Sequence, residues 1–328
     1  MWFDVPDTDA WWRWVILVLF YGVGVLHMVH ALMHVRTSQG AIAWVLSLLM
    51  VPFVAIPLYW LLGRRRFSRE VGGRRAKDSR LAALATGMIE RLRRYEVDIP
   101  DDDAFERAAR ILGGLPFTRG NRLELLIDGE ETFDNIFETI RSAKKHLCVH
   151  FFIVKSDTLG IRFQQALIER ARAGVRVFFL FDEFGSYKLP GRYLRELKAA
   201  GVECHSFGVN RFWWSRLQLN FRNHRKIVVA DGEVALIGGL NVGDEYLGRD
   251  ARFGGWRDTH LVMRGPVVQA VQLVFLEDWF WASNSMPELD WETRLEEADQ
   301  IAAVIPTGPA DLAEALERLC GGLLALST

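Results

Sequence analysis

Two long apolar runs open the chain, and short apolar stretches alternating with amphipathic ones follow. Residues 14–35 and 41–62 are nearly free of charge, and each holds about the 20 residues a membrane-spanning helix requires. Only the segment RTSQG at 36–40 separates them. The pattern therefore predicts a tight helical hairpin with both ends on one side of a bilayer. Trp11, Trp12 and Trp14 on the first helix, and Tyr59 and Trp60 on the second, would anchor that side at the interface. His27, His30 and His34 share one face of the first helix. No carboxylate or cysteine lies within the hairpin runs to complete a metal site, so His27 and His30 are read as packing against the second helix, with His34 near the far interface.

After residue 63 the pattern changes. Residues 64–122 read as a connector, with a helix over 80–95 that places Leu81, Leu84, Met88 and Leu92 at helical spacing. Asp101, Asp102 and Asp103 mark a second helix start. From Leu123 strands and helices alternate: strand 123–127, helix 130–145, strand 146–154, helix 159–173, strand 175–181, helix 190–200 and strand 202–207. A hairpin over 223–241, a strand at 259–263 and a helix beginning at Pro266 complete the series. Such alternation predicts an α/β domain over 123–283 with a mixed sheet flanked by helices. The segment NRFWWSRLQL at 210–219 reads as a packed loop, with insertion at a membrane surface as the alternative. Residues 284–328 form an acidic tail with one amphipathic helix at 310–320.

Charge narrows the choice of partner. The net charge is −1, so no global field favours nucleic acid. Residues 64–77 nevertheless hold seven Lys and Arg against one acid, Glu70. The positive-inside rule places that side in the cytoplasm, and the same cluster suits anionic lipid headgroups. Cys148, Cys204 and Cys320 are far apart, which gives neither a disulfide framework nor a metal-ligand spacing.

The candidate chemistry lies in NHRKIVVADGEVALIGGLN at 223–241, which has the form H-x-K-x4-D-x6-G-G-x-N. His224, Lys226 and Asn241 bring an imidazole, an ammonium and an amide to one strand–turn–strand. Those groups serve phosphoryl transfer, as nucleophile or proton carrier and as donors to phosphate oxygens. The bland alternative is a hairpin turning at Asp231-Gly232 with His224 and Lys226 facing solvent.

This spacing resembles the HKD signature of the phospholipase D superfamily. The chain as a whole resembles bacterial cardiolipin synthases of that type. Besides the motif, the resemblance rests on AWVLSLLMVPFVAIPLYWLLGRRRF, LLIDGEETFDNIFETIRSAKKHLCVHFFIV, DEFGS at 182–186, WRDTH at 256–260, FLEDW at 275–279 and VIPTGP at 304–309. It implies a transmembrane hairpin over 1–63 and one phospholipase D-type lobe. It also implies a phosphatidyltransferase of the inner membrane, multi-pass with a cytoplasmic lobe, working on phospholipid without metal or cofactor. Two phosphatidylglycerols would yield cardiolipin and glycerol through a phosphohistidine. His224, Lys226 and Asp231 are the motif's catalytic set, Asp231 reading more as a turn residue. Lys226, Gly239 and Asn241 would bind phosphate, with Gly239 standing where many members have Ser. Asp258 is the first candidate to orient the His224 ring and Glu245 the second, while His260 reads as a strand residue near the site. The family builds one site from two such motifs, and no second H-x-K occurs in these 328 residues. The resemblance then implies that a second motif comes from a homodimer or another chain. A hydrolytic phosphodiesterase and a truncated, non-catalytic membrane protein are the competing readings.

Overall fold

The computed structural model describes residues 11–34, 38–62, 79–97, 114–207, 223–250, 252 and 254–306. The turn at 35–37, the basic cluster, Asp101–Asp103, the segment 210–219, Cys320 and the helix expected at 310–320 lie outside them. The chain forms two compact units, one ending near residue 70.

In the first unit, helix α1 (Trp11–His34) is apolar and, at 1.5 Å per residue, about 36 Å long, enough to cross a bilayer. The second apolar run departs from the expected spanning helix. It breaks into α2 (Ser38–Met50) and α3 (Pro52–Leu62). Pro52 lacks an N–H and its ring crowds the preceding turn, although helical bonds resume on either side, from Val51 N to Ser47 O and from Ala55 N to Val51 O, both 2.9 Å. The break reverses the chain. The rings of Trp44 and Tyr59 lie 5.1 Å apart, whereas a straight helix would separate those positions by about 22 Å. Helix α3 then follows α1 in the same direction, with Phe53 against Phe20 at 4.6 Å and Trp60 beside His27. Tyr59 and Trp60 therefore sit beside the middle of α1 and not at its Trp11 end, which corrects their placement as anchors there. The physical reason is hydrogen bonding in an apolar medium, where each polar ring atom needs a partner. Trp60 Nε1 donates to His27 Nε2 at 2.6 Å, and His30 Nδ1 lies 2.7 Å from the Tyr59 hydroxyl.

The second unit begins with helix α4 (Ser79–Arg93), whose Met88 and Leu92 are buried. The α/β series follows as β1 (Thr118–Ile127), α5 (Asp128–Ser142), β2 (His146–Phe151), α6 (Thr158–Arg172), β3 (Arg176–Asp182), α7 (Gly191–Ala199) and β4 (Glu203–Phe207). Then come β5 (Ile227–Ala230), β6 (Val234–Gly238), β7 (Thr259–Arg264), α8 (Val267–Ser283) and β8 (Gln300–Ala302). The eight strands form one mixed sheet in the order β4-β3-β2-β5-β6-β7-β1-β8. Strands β2, β3 and β4 are mutually parallel, and the other pairings are antiparallel. Strand β8 was not foreseen in the acidic tail. It pairs with β1, and Asp299 accepts from Gly120 N at 2.8 Å, so the sheet continues past the expected boundary at 283.

Both faces of the sheet are covered, which explains why β2, β3 and β5 are apolar runs without alternation. Phe133, Ile136 and Phe163 from α5 and α6 cover one face together with Val149 and Val228. Val271, Phe275 and Trp279 from α8 cover the other with Cys148 and Val229. Each such side chain contributes roughly 1.5–3 kcal/mol on full burial. The consequence for function is positional. Strand β5 is held rigidly at the centre, and antiparallel to β2, so its N-terminal end opens beside the C-terminal ends of β2 and β3. Ligand sites in sheets with parallel strands favour that edge.

Candidate active site

His224, Arg225 and Lys226 lead directly into β5. Side chains alternate along an extended chain, so His224 and Lys226 share one side while Arg225 takes the other. The Lys226 ammonium lies 2.8 Å from His224 Nδ1 and also donates to the His224 carbonyl. His224 is exposed and Lys226 is buried. Partial desolvation by its neighbours, and then the charge of Lys226, lower the His224 imidazole from its ordinary value, so the ring is a neutral acceptor for the ammonium. Burial pushes Lys226 down to about 8, against the opposing pull of the Asp258 carboxylate.

Phe152 supports this pair. Its ring lies 4.7 Å from the His224 ring, and the Lys226 ammonium sits 5.6 Å above it. The DEFGS loop fixes the Phe152 backbone. Asp182 accepts from Phe184 N and Gly185 N, both at 2.9 Å, and Ser186 Oγ accepts from Val154 N at 3.0 Å. Gly185 presses on the Phe152 carbonyl so closely that a Cβ would come within 2.2 Å of the oxygen.

The paired glycines make room for two side chains from the β7 segment. A Cβ at Gly238 would strike the His260 ring at 2.3 Å, and one at Gly239 would lie 2.1 Å from Asp258 Oδ1. Asp258 is further held by Thr259 N at 2.7 Å and Trp256 Nε1 at 3.4 Å. His260 is buried, and burial pushes it down to about 4, so it stays neutral as a strand residue beside the site.

The remaining expected residues divide by position. Gly239 N donates to the Thr259 carbonyl at 3.1 Å, so this N–H is spent in the sheet and does not face a phosphate. Asn241 Oδ1 accepts from Ile153 N at 3.0 Å and Nδ2 donates to the Tyr246 hydroxyl at 3.0 Å, which leaves one amide hydrogen for a ligand. Glu245 is buried and paired with Lys155 at 2.5 Å, under Gly243. Asp231 lies at the far end of β5, about 23 Å along the chain from His224. There it accepts from the backbone N–H of Lys144, Lys145 and His146 at 2.7, 2.7 and 2.8 Å, in a left-handed conformation with φ 55°. The structure thus gathers His224, Lys226, Asp258 and His260, with Asn241 beside the Phe152 loop, and sets Asp231 apart. Phe152 went unrecognised in the sequence, because an aromatic in HFFIV carries no signal beyond a buried strand.

An imidazole and a lysine side by side at the open end of a central strand, with a carboxylate under paired glycines, define an HKD-type lobe of the phospholipase D superfamily. This domain is similar to those of cardiolipin synthases. The family model described as "Cardiolipin synthase, PLD-like domain" matches residues 136–279. The chain is 42% identical over 303 residues to cardiolipin synthase A of Pseudomonas syringae pv. syringae, covering 90% of this chain and 63% of that one. It is 39% identical over 310 residues to cardiolipin synthase A of Pseudomonas aeruginosa, covering 94% and 63%. The chain thus spans somewhat under two thirds of the length of these relatives. Among solved structures, a phospholipase D family member, Nuc from Salmonella typhimurium, superposes on 52% of this chain and 99% of its own at a TM-score of 0.37 and 16% identity, too loosely to carry residue roles across.

Proposed function

We propose that this chain supplies one catalytic half of a membrane-bound phosphatidyltransferase that joins two phosphatidylglycerols into cardiolipin and glycerol. The observation that carries the reading is the Lys226 ammonium held 2.8 Å from the His224 imidazole at the open end of the sheet. The relatives named cardiolipin synthase A supply the substrate class. In this reading one imidazole attacks phosphorus, so that a P–N bond forms and the P–O bond to glycerol breaks. The other imidazole protonates the leaving glycerol, then takes the proton from the acceptor hydroxyl that cleaves the phosphohistidine. His224 supplies one of the two imidazoles. Lys226, with the remaining Asn241 hydrogen, neutralises the phosphoryl oxygens. Asp258 favours the charged form of Lys226, and in this reading it would act on the His224 ring through that ammonium.

The 328 residues hold a single H-x-K, so the second imidazole comes from outside them. A second copy of this chain in a twofold dimer, another chain, or further sequence of the same polypeptide would each meet the requirement.

Placement in the inner membrane fits the first unit. Helix α1 crosses once, while α2 and α3 descend beside it and return, so that Leu62 leaves on the side of His34. In sequence, Arg36 and the cluster at 64–77 follow those helix ends directly, whereas Asp4, Asp7 and Asp9 precede α1. The positive-inside rule then puts the lobe in the cytoplasm and the N-terminus outside.

The test is a lipid extract from cells that lack cardiolipin synthases and express this chain. Cardiolipin that disappears with His224→Ala supports the transferase. Phosphatidic acid without cardiolipin would indicate a hydrolase, and neither product in any oligomeric state would indicate an inactive protein.

A further inference from the structure

We infer that Arg225 and Asp278 are positioning residues, a buried ion pair behind the site that sets the direction of His224 and Lys226. The inference rests on the proposed reaction for its kinetic consequence but not for its geometry. Residues 223–226 precede β5 and carry no strand pairing of their own. Their path must be fixed by side chains, and Arg225 is the residue between the two functional ones. Both Asp278 oxygens lie 2.6 Å from Arg225 Nη1. The side chains are 14% and 6% exposed, so the pair is screened little by water. Asp278 is carried by α8 next to Trp279, which is fully buried against Phe275 and Phe178. A rigid helix on one face of the sheet thereby grips the middle residue of a three-residue lever. By strand alternation, the grip decides where the outer two point on the other face.

His150 completes the back of the site. It is fully buried, its Nδ1 lies 3.6 Å from Asp278 Oδ2, and neither ring nitrogen has a hydrogen-bond partner among the described residues. Burial pushes it down to about 4, so it stays neutral and leaves Asp278 to Arg225. Asn223 reinforces the bend by accepting from Arg225 N at 3.2 Å.

Removing one partner would leave the other's charge without this counter-ion at a little-exposed position, which risks the fold itself. The main test therefore replaces both, as Arg225→Met with Asp278→Leu, since apolar pairs of similar volume commonly replace buried ion pairs without loss of stability. Asp278→Asn, which keeps the shape and one acceptor oxygen, is the second variant. Two readouts are taken on the full chain in detergent micelles containing phosphatidylglycerol. For the double variant we expect kcat to fall about 10- to 100-fold with KM within about twofold, because orientation is felt mainly in the transition state. NMR of 13C-histidine-labelled protein, with the His224 signal identified by its loss in His224→Gln, should show the His224 titration moving up toward the ordinary histidine value as the ring leaves Lys226 and Phe152. The Asn variant should shift both readouts in the same direction by less. Folded variants that keep the wild-type kcat and the wild-type His224 titration would overturn the inference. If the wild-type chain makes no cardiolipin, the proposed reaction fails, and the NMR arm alone still decides the positioning role.

Discussion

Asp258 occupies the space that a side chain at Gly239 would take, its Oδ1 lying 2.1 Å from where a Cβ would stand. That relationship gives the second glycine of the motif a task different from exposing a backbone N–H to phosphate. Gly239 admits a carboxylate from the next strand segment, and that carboxylate is the charge that favours the ammonium form of Lys226.

Gly239→Ala should therefore drive Asp258 away from Lys226. Forcing a methyl group into this space costs about 1–3 kcal/mol, and transferase activity should fall by more than the stability loss explains. Thermal unfolding and cardiolipin formation measured on the same preparation check this. Wild-type activity from the alanine variant would show that Asp258 has no part in the site.

The lowered pKa of Lys226 has a pH signature. Its folded value of about 8 lies below the ordinary 10.5, so between those values the unfolded chain binds more protons than the folded one. Stability from this group must then rise as pH rises through that window. Activity should move the other way, because the ammonium that neutralises phosphate is lost above about pH 8. Wild type should thus gain thermal stability relative to Lys226→Met between pH 8 and 10.5 while losing turnover. A flat stability difference across that window would contradict the assignment.

His224 and Asp231 share a motif but stand at opposite ends of β5, and their variants should separate. His224→Ala should abolish turnover with little change in unfolding. Asp231→Asn should keep most of the activity while weakening the grip on three backbone N–H groups. Hydrogen bonds to a charged acceptor contribute about 1.5–3 kcal/mol each, so unfolding should reveal a loss of that order. Equal loss of turnover in both would place Asp231 in the chemistry.

The return of α3 along α1 predicts a sidedness. Single cysteines placed at Thr8, Ser38 and Ser79 should react with a membrane-impermeant maleimide from different sides, Ser38 and Ser79 from the cytoplasm and Thr8 from outside. Labelling of Ser38 and Ser79 from opposite faces would restore a hairpin with two crossings.

Much of this was legible in the sequence, because it depends on short-range spacing. Periodicity located β2 to β5 and α5 to α8 within a few residues, since apolar alternation and helical stripes are local properties of a chain, whereas β1 begins at Thr118, five residues back into the expected connector. The motif itself announced His224 and Lys226, which a two-residue step along an extended chain must place side by side. What required the tertiary structure is whatever depends on chain reversal or on partners far along the sequence. Seven positions of extended chain, four of them strand β5, turn the motif's Asp231 into a distant residue, although the pattern presents it as a neighbour. Asp258 reaches Gly239 only because β6 and β7 pair in register, and Asp278 reaches Arg225 only because α8 crosses behind the sheet. Pro52 marked a break in the second apolar run, but a proline fixes only the loss of a hydrogen bond. The direction of α3 is seen only in the fold, where Tyr59 and Trp60 meet His30 and His27 on α1, polar partners that an apolar surrounding would favour.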